Sequence, residues 1–343
     1  MTPEQFSRSL DFLIPYLSRL GFTRGGGQAI SLQYVGGEIL TVPSDDLKRV
    51  VFEARSRMGA VFDIVRDGVQ SNLIGSPARL AVMTALFGDR IGTSVDHFGS
   101  QRTLSGSAQK YRVVSIKSAD RMRRSGRSIP AIFVVDSKGI ENVMGEYQLA
   151  EEGAYPLTLR AVFAGGRGSD EAPPGAIAAA YGDVFDAWAM RGRVNVEPLG
   201  HLLRQRLAAH DPSIDARAMA GCPFQSNCAE VSLNLDPNGD LFLCLYTSDS
   251  SQMRLGNALD GSFDWSLWEQ MKARTLHLDS SCKSCLYRSQ CAGGCMSEGY
   301  HVSGSPFGKT GLCIVWKTIF AKIDTLVERE GVAAVSAWAA ALI

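Results

Sequence analysis

The chain has 343 residues, 45% hydrophobic and 20% charged, and its Lys plus Arg total equals its Asp plus Glu total at 35 each. A chain of this length and apolar content buries a sizeable core in one large or two medium domains. Balanced charge excludes the long-range positive field of a nucleic-acid binder, and no stretch reaches the roughly 20 apolar residues of a membrane span. The opening MTPEQFSRSLDFLIPYLSRLG lacks the pattern of a secretory signal. The expectation is a cytoplasmic protein with neither membrane nor nucleic acid as partner.

Up to about residue 195 the chain alternates helical and strand periodicity. Phe6, Leu10, Leu13, Leu17 and Leu20 predict a first helix with one apolar face and Pro15 as a possible kink. AISLQYV predicts a strand that ends at Gly36, Gly37 and Glu38, and Asp45 and Asp46 open a helix running to about Met58. AVFDIVR (60–66) predicts the next strand, with Ser71 and Asn72 beyond it, and SPARLAVMTALFG a helix stopped by Gly88. IGTSVD (91–96) is a further strand, followed by a basic helix over 108–125 that reads as a solvated face. SIPAIFVV (128–135) and LTLRAVF (157–163) complete five strands, separated by a helix around 139–152. Strands alternating with helices imply a mostly parallel sheet or part of a barrel.

GGRGSDEAPPG (165–175) reads as a loop before the helix AIAAAYGDVFDAWAM, and composition becomes linker-like around 195–221. The expected division is residues 1–199, 200–320 and a helical tail over 321–343. The apolar end GVAAVSAWAAALI is too short to span a membrane and suits a docking helix or a frayed end.

All eight cysteines fall in one window: Cys222, Cys228, Cys244, Cys282, Cys285, Cys291, Cys295 and Cys313. C-x2-C-x5-C-x3-C interspersed with Lys, Ser, Arg and Gln is no pattern for a core, and disulfides need an oxidising compartment that nothing at the start of the chain points to. Metal ligation is left, and eight thiolates suit two Zn(Cys)4 sites or two cubane clusters; spacing does not choose between them. VSLNLDPNGDLFLC predicts a hairpin turning at Asp236, Pro237, Asn238 and Gly239, which returns Cys244 toward Cys222 and Cys228. In CAGGC, Gly293 and Gly294 let the backbone turn tightly and bring N–H groups to a bound sulfur.

The pattern C-x5-C-x15-C followed by C-x2-C-x5-C-x3-C-x17-C, with NLDPNGDLFLC and the later LGN (Leu255 to Asn257), resembles the SPASM domain of radical S-adenosylmethionine (SAM) peptide and protein maturases, including the anaerobic sulfatase-maturing enzymes. The resemblance spans about residues 222 to 315. It implies two auxiliary [4Fe–4S] clusters, one on Cys222, Cys228, Cys244 and Cys295, the other on Cys282, Cys285, Cys291 and Cys313. Residues 4 to 195 resemble the radical SAM partial barrel. VGGE (35–38) resembles the segment that meets the SAM amino group, Ser71 and Asn72 stand where relatives have TNG, and SVD with Gly99 resembles a segment near the cofactor ribose. The implied SAM-binding residues are Gly36, Gly37, Glu38, Asn72, Ser94, Asp96 and Arg160.

No cysteine precedes Cys222, so the family's CxxxCxxC, which binds the SAM-cleaving cluster, is not among these residues. The implied fold is α/β, a partial (β/α)6 radical SAM-type barrel missing its first strand, followed by the cysteine-rich SPASM domain. AISLQYV is then an exposed edge, and the chain is expected to be a truncated family member that does not cleave SAM by itself, with a degenerate relative as the other explanation. Sulfatase-maturing relatives place an Asp directly after the third SPASM cysteine, whereas Cys244 is followed by Leu245 and Tyr246. The implied substrate is therefore another peptide or protein, with Tyr246 and Asp249 as weak candidates to face it and a flavodoxin- or ferredoxin-type reductant as partner. The rival readings are a non-catalytic iron–sulfur electron-transfer or peptide-binding protein and a two-zinc interaction protein.

Overall fold

The computed structural model describes residues 1–98, 102–162, 170–211, 213–214, 228–248 and 250–342. The strands are β1 (Ala29–Tyr34), β2 (Ile64–Gln70), β3 (Ile91–Val95), β4 (Ala131–Val135), β5 (Leu157–Ala161), β6 (Val196–Glu197), β7 (Asn234–Leu235), β8 (Asp240–Phe242), β9 (Gly256–Asn257) and β10 (Ser262–Phe263). The first seven helices are α1 (Pro3–Arg19), α2 (Ser44–Met58), α3 (Pro77–Phe87), α4 (Ala108–Arg124), α5 (Val143–Gly153), α6 (Pro174–Trp188) and α7 (Leu199–His210). The cysteine-bearing part adds α8 (Cys228–Val231), α9 (Trp265–Lys272), α10 (Ser280–Lys283), α11 (Arg288–Cys291), α12 (Met296–Ser303), α13 (Cys313–Glu330) and α14 (Val332–Ala340). Two compact units result, the first made of Met1–Ser94, Leu104–Ile129 and Leu233–Trp265, the second of Val95–Thr103, Pro130–Ser232 and Ser266–Ile343.

In the first unit β1 and β2 pair in parallel from Ala29↔Ile64 to Tyr34↔Val69, and β2 pairs with β3 through Val69↔Ile91. Parallel strands need helical crossovers, and α2 and α3 supply them. Leu47, Val51, Leu73, Met83, Phe87 and Ile91 form the core beneath these strands. At α1, Thr2 accepts from the Gln5 N–H while the Gln5 side chain accepts from the Thr2 N–H, a capping box that starts the helix one residue before Pro3. The helix continues through Pro15 to Arg19.

The second strand differs from its sequence reading. AVFDIVR places it over 60–66, whereas β2 runs Ile64–Gln70. Val61 and Phe62 are buried, but they turn back on the end of α2, both N–H groups bonding to the Met58 carbonyl. The strand then continues through Asp67, only 2% exposed, because Arg55 and Arg90 both pair with that carboxylate. An acidic residue ends a strand in a sequence reading; here two guanidinium groups compensate it.

The segment Leu233–Trp265 forms the predicted hairpin. β7 and β8 pair antiparallel around the turn, closed by the Gly239 N–H to the Asp236 carbonyl. β9 and β10 extend this to four strands in the order β10-β9-β8-β7. The LGN segment is structural here: Leu255 is fully buried, and a Cβ on Gly256 would stand 2.1 Å from the Ser262 carbonyl oxygen. Asn257 donates to the Asn238 carbonyl and to Asp240. Tyr16 of α1 packs against Phe263 (4.8 Å) and Trp265 (5.5 Å), which anchors the helix to this small sheet.

In the second unit β4 and β5 pair from Ala131↔Leu157 to Val135↔Ala161, and β5 pairs with the two-residue β6 at Leu157↔Val196. β6 is too short to leave an alternation in the sequence. Their apolar residues meet α5, α6, α7 and α13 in one core that contains Phe133, Leu159, Tyr181, Trp188, Leu203, Trp316 and Phe320. The apolar tail is a docking helix: Trp338 of α14 packs edge-on against Trp188 at 4.6 Å and donates its indole N–H to the Gly192 carbonyl. Among the described residues no helix is long and apolar enough to cross a membrane.

Candidate functional site

Four of the implied SAM-binding residues, Gly36, Gly37, Glu38 and Asn72, meet with Ser71 in the first unit. Gly36 and Gly37 take positive φ (92° and 54°), the left-handed region glycine adopts without a Cβ clash, and they turn the chain after β1. Glu38 then accepts from the Leu40 N–H (3.1 Å), the Ser71 hydroxyl (2.7 Å) and the Asn72 N–H (2.8 Å). Asn72 turns its own side chain to the Ile74 N–H, and Ser94 accepts from Gln70 at 3.3 Å. The Gln70 side chain occupies the space a Cβ on Gly92 would need. About three of the roughly four acceptor positions of Glu38 are thus used by its own chain. Its first effect is to hold the Ser71–Asn72 turn beside Gly36 and Gly37.

Asp96 and Arg160 belong to the second unit. Near Asp96, the His97 backbone N–H and ring Nδ1 both meet Glu146, a carboxylate with no exposure to solvent, at 2.8 and 2.6 Å. Arg160 on β5 lies in the field of Tyr181 and of Glu298. Glu298 on α12 is 5% exposed, and burial pushes its carboxyl up to about 7 although the Thr310 hydroxyl donates to it and Arg160 and Arg274 oppose the rise.

Cys282, Cys285, Cys291 and Cys313 line one cavity of about 80 Å³. Asp279 caps the four-residue α10 and sets Cys282, whose carbonyl accepts from the Cys285 N–H. Cys291 ends α11, and the chain then takes left-handed φ at Ala292, Gly293 and Gly294 in succession (46°, 82°, 73°). This turn lets the Gly293 N–H donate to the Cys291 thiol. Cys313 enters from the start of α13, and Phe320, one helical face further along, stacks on Tyr287 at 4.9 Å. Tyr287 is also tied to Asp324, which Arg206 of α7 pairs at 2.6 Å. The wall between Cys285 and Cys291 is therefore held by side chains from two long helices.

The thiols feel one another. Burial first, then Cys313, Cys282 and Cys285, push the Cys291 thiol up to about 12, and burial and Cys313 raise Cys282 as well. Cys282 and Cys291 thus resist ionising unless a cation shares their charge. Arg288, Lys309 and Lys317 also line the cavity, and among the described residues no carboxylate does. Among the described residues no three Cys, His, Asp or Glu side chains converge on one point as ligands of a single ion do. Nor do the seven described cysteines form disulfides.

Of the other implied set, Cys228 starts α8, Cys295 caps α12 and is 7% exposed, and both lie in the field of the buried Arg274. Cys244 belongs to the first unit, where its sulfur accepts from the Tyr246 N–H at 3.5 Å, and Tyr246 itself is half-buried. Cys222, Asp249 and Gly99 lie outside the described residues. Sequence reasoning passed over Arg274, Glu298 and Thr310, which carry no motif.

No protein-family model matches the chain, and no curated protein matches its sequence significantly. Solved structures do. The chain superposes on anSMEcpe with bound AdoMet and a Cp18Cys peptide at a TM-score of 0.73 and 14% identity, covering 95% of this chain and 90% of that one. It superposes on Streptococcus suis SuiB at 0.57 and 15% identity, covering 91% and 71%, and on SuiB bound to the precursor peptide SuiA at 0.55 and 16%, covering 89% and 69%. At this identity the likeness is one of fold, and the partial barrel with its cysteine-rich domain is the fold of the radical SAM/SPASM proteins.

Proposed function

We propose that this chain is an iron–sulfur protein related to radical SAM enzymes that modify peptides or proteins. Cys282, Cys285, Cys291 and Cys313 hold one [4Fe–4S] cluster, and Cys222, Cys228, Cys244 and Cys295 a second. The observation that carries the reading is the single cavity lined by Cys282, Cys285, Cys291 and Cys313. Four thiols set around a cavity suit a cluster that takes one thiolate at each iron; a lone zinc needs all four sulfurs about 2.3 Å from one point. The Gly293 N–H at Cys291 and the Tyr246 N–H at Cys244 stabilise bound sulfur charge, and Arg288, Lys309 and Lys317 offset the negative charge of a ligated cluster. Bound clusters of this kind pass single electrons, here to or from a flavodoxin- or ferredoxin-type carrier. The bound peptides of anSMEcpe and SuiB support a peptide or protein as the substrate class.

Gly36, Gly37, Glu38, Asn72, Ser94, Asp96 and Arg160 are the residues proposed to meet SAM. The residues given supply no CxxxCxxC, since their first cysteine is Cys222. These 343 residues, incubated with dithionite and SAM, should therefore release no 5′-deoxyadenosine. Anaerobic purification tests the metal assignment. About eight iron and eight sulfide per chain are expected, falling to about half in Cys313→Ala, whereas two zinc and no sulfide would sink the reading.

A further inference from the structure

Arg274 is the least expected side chain near the thiols. It is 3% exposed, and among the described residues no carboxylate stands within ion-pair distance of it. Its guanidinium is saturated by backbone instead: Nε donates to the Pro306 carbonyl at 2.8 Å and Nη1 to that of Ala292 at 2.8 Å. Nη2 reaches the carbonyls of Gly293 (3.4 Å) and Gly308 (3.2 Å). A Cβ on Gly293 would stand 2.6 Å from Leu278 Cδ2 and 3.2 Å from this nitrogen, so the glycine lets both side chains close on the turn. The fork thus ties the 292–293 turn to the 306–308 segment.

The clamped loops matter. Ala292 and Gly293 lie between Cys291, of one implied cluster set, and Cys295, of the other; Pro306 and Gly308 precede Cys313. Neutral carbonyls satisfy the hydrogen bonds of the guanidinium but do not cancel its charge. The negative groups in its field are the sulfurs of Cys228, Cys295, Cys291 and Cys282, together with the Glu298 carboxyl of α12 when that is ionised. A buried cation whose hydrogen bonds all go to neutral carbonyls favours negative charge on the groups around it, and sulfurs bound to metal carry such charge.

We infer that Arg274 is a positioning residue for the cluster proposed on Cys282, Cys285, Cys291 and Cys313, which holds the turn after Cys291 in place and raises the reduction potential of that cluster. This rests on the iron–sulfur reading above. One-electron reduction adds one negative charge to a cluster, supplied by a reductant such as dithionite, and no bond is made or broken. A fixed cation in a buried site favours the more negative state, so its removal drives the potential down.

The test uses the full chain, purified anaerobically as wild type, Arg274→Gln and Arg274→Lys, with iron, sulfide and zinc assays and an EPR-monitored redox titration of each. Arg274→Gln should load the cluster at Cys291 and shift its midpoint negative by a factor of about ten in the reduction equilibrium, which is about 59 mV for one electron. Arg274→Lys keeps the charge and should stay within about twofold of wild type. If Arg274→Gln takes up no cluster, a loaded Arg274→Lys at the wild-type potential still supports the inference. Unchanged midpoints in loaded Arg274→Gln overturn it, as does an Arg274→Lys that fails to load or shifts as far as Arg274→Gln. Zinc without sulfide in the wild type removes the iron–sulfur reading itself, and that result is read from the wild type alone.

Discussion

Glu298 supplies a pH dependence that can be worked from its surroundings. The carboxyl is almost fully buried on α12, and loss of water outweighs the Thr310 hydroxyl and the two guanidinium groups of Arg160 and Arg274, raising it from 4.5 to about 7. Between these values the folded chain holds a proton that the unfolded chain has released. Stability is then fully present below about pH 4.5, falls as pH rises toward 7, and levels off above it. A rise of this size corresponds to on the order of 3 kcal/mol, or roughly a hundredfold in the folding equilibrium. Glu298→Gln puts a permanently neutral amide of the same shape at this point and keeps an acceptor for Thr310. Guanidinium unfolding midpoints at pH 5 and pH 7.5 should differ in the wild type and lose most of that difference in the variant. Carboxyl-labelled NMR difference spectra between the two proteins should show one Glu titrating near 7. A Glu298 resonance that titrates near 4.5, or an equal pH slope in both proteins, would refute the reasoning.

Two further substitutions test the local geometry. Gly294→Ala forces a side chain into a left-handed φ of 73° and sets a Cβ 2.3 Å from the Thr310 methyl carbon, so it should cost about 2 kcal/mol or more by denaturant midpoint and lower iron and sulfide content per chain. Glu38→Ala leaves the Asn72 and Leu40 N–H groups and the Ser71 hydroxyl without their acceptor; a loss of about 1–3 kcal/mol is expected by thermal or denaturant unfolding, with Glu38→Gln retaining part of it.

What the sequence made legible follows the physics each feature depends on. The alternation in IGTSVD and SIPAIFVV shows β3 and β4 because a strand's period of two survives wherever one residue in two is buried, and AISLQYV shows β1 by the same period between exposed and half-buried positions. DPNG marks the β7–β8 turn because its geometry is local. β2 was misframed for the opposite reason: Asp67 is acceptable in mid-strand only through Arg55 and Arg90, and neither partner can be inferred from the strand's own residues. The cysteine spacing displays the thiols but not their environment. Cys282, Cys285, Cys291 and Cys313 share a wall because α13 carries Cys313 back to the turn after α11, a long-range packing event with no local signal.

Arg274 and Glu298 were illegible on both counts. A charged residue is expected at the surface, and the partners that make burial tolerable are carbonyls 18 to 34 residues away for Arg274 and the Thr310 hydroxyl 12 residues away for Glu298. These two groups also bear on each other. With Glu298 protonated below about pH 7, the negative field at Arg274 is left to the sulfurs, and the proposed cluster beside Cys291 would then feel the charge of this carboxyl through the guanidinium. Cluster midpoints measured at pH 6 and pH 8 should therefore differ in the wild type by more than in Glu298→Gln.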